Sequence, residues 1–208
     1  MIKSKKLLIG TAIIIALILG SVLSLRIFQF NNSVVIKEAR LDENFDNEEL
    51  ILDGHVIKPL KLSFSDLYTM PITEVDSPLY CIGRIDPYRN GSRNVVPVLN
   101  GTWEGVKLSL ILEKAGIRSD AVKVAFYAPD GFSTDLTINN ALKDDVIIAY
   151  KLNGELLKDR NGNPYLRLVV PGKYGYKWIS LLNHIELVDY DFKGTYERQG
   201  FSDEATLE

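Results

Sequence analysis

The stretch LYCIGRIDPYRNGSR, Leu79 to Arg93, holds the one cysteine of this 208-residue chain, and Arg84, Arg89 and Arg93 follow it within a dozen positions. With no second thiol, a disulfide within the chain is impossible. An isolated cysteine is commonly a small buried hydrophobe, but such a residue needs no basic neighbourhood. The arginines either draw an anion towards the thiol or form a solvated loop. The remaining chemistry-bearing residues narrow the choice. One cysteine cannot hold an iron–sulfur cluster, and no C-x-x-C-H haem attachment is present. The two histidines, His55 and His184, are far apart in sequence, and H-E-x-x-H is absent.

The start of the chain is different in kind from the rest. Leu7 to Leu25, LLIGTAIIIALILGSVLSL, carries no charge and approaches the roughly 20 apolar residues that span a bilayer. Lys3, Lys5 and Lys6 precede it, so the positive-inside tendency puts residues 1–6 in the cytoplasm and everything after Arg26 outside. A cleaved signal peptide is the competing reading; its apolar core is shorter, roughly 7–15 residues, and ends at an A-x-A-like site, for which only Val22-Leu23-Ser24 is passable. The expectation is a single-pass anchor in the cell membrane at 7–25, a polar tether at 26–48 and one extracytoplasmic domain at 49–208. The first 26 residues hold four cations and no acid, so the formal net charge of −3 leaves −7 on the exported part. That charge argues against nucleic acid as a partner. Without disulfides, the fold must rest on its hydrophobic core.

From Leu50 the pattern is of short strands punctuated by turns. ELILDG and HVIKPLKL alternate around Asp53-Gly54, a hairpin dipeptide. SFSDLYTM reads as a short helix with a Ser cap that closes before Pro71. The cysteine sits on a strand that leads into a long loop. VKLSLILEKAGI is the clearest helix, with Leu108, Ile111, Leu112 and Ala115 on one face and Gly116 as its stop. VKVAFYAPDGFSTDL is strand, turn and strand. VIIAYKLNGELL turns on Asn153-Gly154, and LRLVVPG and WISLLNHIELVDY supply the last strands. This order gives an α+β domain with mostly antiparallel or mixed sheets and a few short helices.

The order of these segments carries a resemblance. LILDGHVIKPLKLSFSDLYTMP, LYCIGR, GTWEGVKLSLILEKAGI, VAFYAPDGFSTDL and AYKLNGELLKDRNGNPYLRLVVPGKYGYKWI run in sequence. Together they resemble the molybdopterin-binding domain of the sulfite oxidase family, which includes the catalytic subunit of bacterial protein-methionine-sulfoxide reductase. The likeness covers Glu49 to Phe201; RLVVPGKYGYKWI with an upstream strand cysteine is its most specific part, and W-x-G before a helix its least.

In that family one cysteine thiolate binds molybdenum beside the dithiolene of a pterin, and Cys81 occupies the matching position. A thiolate is a soft anionic ligand, and coordination deprotonates it. The resemblance implies that Arg167 and Lys177, with Lys173 behind them, hold the pterin phosphate. Arg suits a planar two-point grip, Lys gives a point charge, and the PGKYG turn offers backbone N–H groups. Asn161 matches a polar contact, although its spacing to Arg167 is one residue longer, and Tyr174 and Tyr176 are candidates for the pocket wall. Arg84 is the arginine nearest Cys81 and a candidate for meeting an anionic substrate. Ser180 and Ala128 stand where the reductase branch carries Lys and Thr, and no twin-arginine export signal is present.

The function implied is two-electron oxygen-atom transfer at a molybdenum–molybdopterin cofactor, on a small oxyanion such as sulfite or on a sulfoxide. Electrons then pass through a partner such as a membrane-embedded b-type haem subunit. The alternative is a membrane-tethered binding or scaffold module of the same fold without catalysis.

Overall fold

The computed structural model describes residues 49–85 and 95–207. The expected anchor, the tether, Arg89 and Arg93 lie outside the described residues. Among the described residues, no helix is long and apolar enough to cross a membrane.

The first half of the domain runs β1 (Glu49–Gly54), β2 (Leu60–Ser63), α1 (Phe64–Tyr68), β3 (Ile72–Asp76), β4 (Leu79–Ile85), β5 (Val95–Leu99), β6 (Thr102–Lys107) and α2 (Leu108–Ala115). The second runs β7 (Lys123–Tyr127), β8 (Ser133–Thr137), α3 (Ile138–Ala141), β9 (Ile147–Leu152), β10 (Glu155–Leu156), β11 (Arg167–Val169) and β12 (His184–Val188), with 3-10 turns at Gly175–Lys177 and Glu197–Gln199. One sheet has the order β2-β1-β12-β7-β8; a second runs β10-β9-β6-β3 with β11 also on β9; β4 and β5 form a ribbon of their own. The α+β expectation holds, and the sheets are mixed because β12 pairs parallel with β1 and antiparallel with β7.

Local chemistry explains the boundaries. Leu50 and Leu52 alternate into the core from β1, as a half-buried strand requires. The expected two-residue hairpin at Asp53-Gly54 is instead a longer excursion, and β2 begins only at Leu60. Residues 55–59 are drawn off because the Ile57 and Lys58 N–H groups donate to Gly116 O and Ala115 O (both 2.8 Å). They thereby satisfy carbonyls that the end of α2 leaves open. Gly54 has φ +81°, and a Cβ there would lie 2.2 Å from Leu187 O, so only glycine admits β12 at this point. Ser63 caps α1 through a reciprocal pair with Asp66.

The helix expected from Val106 starts two residues later, since Val106 and Lys107 complete β6 against Ile148 and Ile147 of β9. From Leu108 the apolar spacing takes over, burying Leu108, Ile111, Leu112 and Ala115. Trp103 of β6 is fully buried, donates Nε1–H to Ser77 O at 2.9 Å and meets Trp178 edge-on at 5.7 Å. This core pair lies directly behind the site.

Candidate active site

Cys81 is exposed on β4, and the segment that faces it is held by close packing rather than by a strand. At Gly175 an added Cβ would sit 3.0 Å from both Leu79 Cδ2 and Tyr80 O. A side chain at 175 would push the 3-10 turn off β4. The turn is tightened by Trp178 N–H donating to Gly175 O at 3.0 Å and Trp178 Nε1–H to Lys173 O at 3.1 Å. After it, the expected strand from Trp178 to Asn183 does not form. Leu181 adopts φ +55°, a conformation uncommon for a branched side chain, and regular pairing resumes only at His184.

Between β4, this turn and the 130–132 loop lies a cavity of about 520 Å³, of the size that takes a cofactor or drug-sized ligand. Its walls are mainly apolar and aromatic, from Leu79, Ile82, Val98, Leu99, Phe132, Tyr176, Trp178, Ile179 and Tyr196; Cys81, Asp130, Arg167 and Ser180 supply the polar groups. Arg167 sits on β11 opposite Ala149, bridges to Ser180 and donates Nη1–H to Trp178 O at 3.4 Å. Its guanidinium lies 5.8 Å from the Trp103 ring centroid, and its buried Nε has no hydrogen-bond partner among the described residues. An unpaired buried donor costs about 1–3 kcal/mol, so this guanidinium is poised for an anion. A thiol open to the cavity and a guanidinium with an unsatisfied Nε in the same cavity fit a group that has a thiolate-binding metal at one end and a phosphate at the other.

The other expected contacts go elsewhere. Lys177 is fully buried and does not line the cavity; its Nζ reaches Glu197 Oε1 at 2.6 Å, Asp135 O at 3.0 Å and Asp135 Oδ1 at 3.1 Å. Lys173 is buried against Glu204, donating to its backbone oxygen and, at 3.0 Å, to its carboxylate. Tyr174 is half-buried and stacks on Tyr176 at 6.5 Å without lining the cavity. Asn161 is exposed in a turn, where its N–H donates to Asp159 Oδ1 at 2.8 Å. Arg84 contributes its backbone to β4. The structure thus brings Cys81 and Arg167 together and turns both lysines away, Lys173 onto Glu204 and Lys177, at the end of the 3-10 turn, onto Asp135 and Glu197.

Three cavity residues stood apart from the sequence expectations. Asp130 reads as a turn residue, and its carboxylate does accept Phe132 N–H at 2.9 Å while also lining the cavity. Ser180, which stands where the reductase branch carries Lys, lines the cavity as well. Tyr196 comes from the C-terminal segment, and no local motif marks it. That segment is tied down by a charge cluster around the buried Lys123, which pairs with Asp135 (2.8 Å), Asp191 (2.6 Å) and Asp203 (2.7 Å). Burial works against ionisation of Asp203, but hydrogen bonds from Lys123 and Lys193 prevail and hold it down at about 2. Burial pushes Asp135 up in spite of its lysines. Burial, reinforced by Glu197, pushes the Tyr176 phenol up to about 12, so it stays protonated and donates to Ser202 O at 2.6 Å.

Comparison with known proteins agrees with this geometry. The family profile "Oxidoreductase molybdopterin binding domain" matches residues 38–196. The chain is 31% identical over 159 residues to a Bacillus subtilis protein called "Uncharacterized oxidoreductase YuiH", covering 76% of this chain and 74% of that one. It is 26% identical to sulfite oxidase of Arabidopsis thaliana, covering 76% of this chain and 46% of the plant enzyme. Among solved structures, the sulfane dehydrogenase SoxCD of Paracoccus pantotrophus superposes with a TM-score of 0.61 at 26% identity, over 74% of this chain and 40% of that one. The chain therefore spans most of the Bacillus protein and under half of the other two. With the thiol, the guanidinium and the profile falling on the same domain, the chain belongs to the oxidoreductase molybdopterin-binding domain family.

Proposed function

We propose that this chain is a membrane-anchored, extracytoplasmic enzyme that carries out two-electron oxygen-atom transfer, of the sulfite-oxidation or sulfoxide-reduction type, with a separate electron-transfer partner. The observation that carries the reading is the exposed Cys81 thiol sharing one cavity with the unpartnered Arg167 Nε. When bound, the molybdenum–molybdopterin group supplies the two-electron change and the exchange of one oxygen atom with the substrate. The protein's own part is to hold and shield. Cys81 Sγ gives a thiolate ligand, Arg167 gives a charge-assisted grip on phosphate, and the aromatic walls keep water from the reacting side.

Those walls favour the sulfoxide type. Among the described residues, Asp130 and Arg167 place one charge of each sign in the cavity; with Arg167 engaged by the phosphate, the mainly apolar walls suit a neutral sulfoxide. The partner follows from the ligand inventory. The single thiol is in the cavity, His184 Nε2 is 2.7 Å from Asp53 and His55 Nδ1 is 3.1 Å from Asp120. Among the described residues no haem or iron–sulfur ligand set is left over, which supports electron transfer through a separate protein such as a membrane b-type haem subunit.

Two experiments test this reading. Arg167→Ala removes charge-assisted bonds that contribute roughly 1.5–3 kcal/mol each, so pterin per purified chain should fall several-fold. Full occupancy in that variant would remove Arg167 from the site. For the anchor, the full chain should stay with membranes through alkaline carbonate washing and keep its N-terminus near Met1. A soluble protein beginning near Leu25 would overturn the anchor without touching the enzyme reading.

A further inference from the structure

Residues 175–180 contribute Gly175, Tyr176, Trp178, Ile179 and Ser180 to the cavity, and Lys177 alone is missing from that run. Its ammonium points behind the wall into a place with no solvent exposure. There it meets Asp135 of β8 and Glu197, the residue next to Tyr196, itself a cavity residue. Glu197 is also buried, and its Oε1 accepts from Thr134 Oγ1 at 3.1 Å as well as from Lys177. Asp203 Oδ1 stands 3.8 Å from the same ammonium. Two separate stretches of chain that wall the site are therefore joined from the rear through one ion pair.

We infer that Lys177 is a positioning residue, a strut that fixes the 175–180 wall and Tyr196 relative to Cys81, and that the C-terminal segment is an integral part of the site. The physical case is the asymmetry of buried ion pairs. Such a pair is weak evidence for stability as a whole, but removal of one member leaves the other charged, buried and unmatched. Among the described residues Glu197 has no second cation in contact, whereas Asp135 keeps Lys123. Loss of Lys177 would accordingly drive Glu197 towards water and carry Tyr196 with it. Tyr196 stacks on Tyr176 at 5.3 Å and meets Phe201 edge-on at 5.0 Å, so the displacement would reach both walls together. A lysine that gripped the cofactor would instead leave the cofactor-free chain unchanged when replaced.

The consequence for a bound cofactor rests on the proposed function, but the strut itself does not, and the tests separate the two. Lys177→Met keeps the length of the side chain and removes its charge. In the cofactor-free chain, trypsin should then cut after Lys193 and Arg198 at least about tenfold faster, since cleavage follows the population of the opened segment. In the molybdenum-loaded fraction, the Mo(V) paramagnetic resonance signal should shift, a change that a simple loss of global stability would not produce. Adding Glu197→Gln removes the unmatched charge, so the double variant should recover most of the protease resistance and the native signal. If Lys177→Met does not fold, Glu197→Gln alone is read, and it should open the segment in the same direction to a smaller extent. Native protease resistance in cofactor-free Lys177→Met, together with lost pterin that Glu197→Gln does not restore, would overturn the strut and make Lys177 a cofactor ligand. An unshifted Mo(V) signal in a destabilised variant would equally overturn the positioning role. A preparation with no molybdenum counts against the proposed function, and the protease comparison stands without it.

Discussion

In the Cys81→Ser protein we expect oxygen-atom transfer to drop below detection while the melting temperature stays close to native. Cys81 is exposed on β4, so exchanging sulfur for oxygen there opens no cavity in the core. The chemistry changes far more than the shape. A serine hydroxyl is a hard donor with a much higher pKa than a thiol, and a high-valent metal that prefers soft thiolate will be held differently. Molybdenum content is a poor readout, because the two dithiolene sulfurs can retain the metal without the protein. X-ray absorption at the molybdenum edge is the sharper measurement. It should lose one sulfur neighbour in the variant, and the Mo(V) resonance should move. An unchanged sulfur count would leave Cys81 as an ordinary strand residue and return the chain to a binding module.

For Asp135→Ala we expect a loss of folding stability of up to roughly 3–5 kcal/mol, the upper end being the cost of leaving a buried charge without any partner. Asp135 is 1% exposed and sits between Lys123 and Lys177, themselves 3% and 0% exposed. Lys123 retains Asp191 and Asp203 after the substitution, and Lys177 retains Glu197, so the loss should not exceed this range. Asp135→Asn should cost less, because the amide oxygen still accepts a hydrogen bond. The measurement is urea unfolding of the cofactor-free chain, with the midpoint moving and the slope unchanged. A change below about 1 kcal/mol would mean that the cluster relaxes or hydrates on losing a member.

What could be read from the sequence follows the range of the interaction concerned. The Ser63 cap, the Asn153-Gly154 turn with φ +53° and +81° and the buried face of α2 depend on neighbours a few residues away, and all were legible. β3 was not, since its residues are exposed or half-exposed throughout and it exists only by pairing with β6. The parallel pairing of β1 and β12 joins residues some 130 positions apart and leaves no local mark. At the site, the positions of Cys81 and Arg167 followed from the resemblance and stand in one cavity. The lysines of PGKYGYK were expected there by the same resemblance, but Lys177 points into the core from the 3-10 turn that begins at Gly175, and Lys173 is held by Glu204.

The placement of β12 also governs when the domain can first exist. It is the last strand in the chain, yet it is the middle strand of its sheet, flanked by β1 and β7. A ribosome that has released everything up to residue 183 has made two half-sheets, β2-β1 and β7-β8, each with a bare inner edge. These edges are templates for wrong pairing, and they stay open until residues 184–188 arrive. Closing them joins segments distant in sequence, which is the slow kind of folding step. The chain is consequently held back from a premature native state during synthesis.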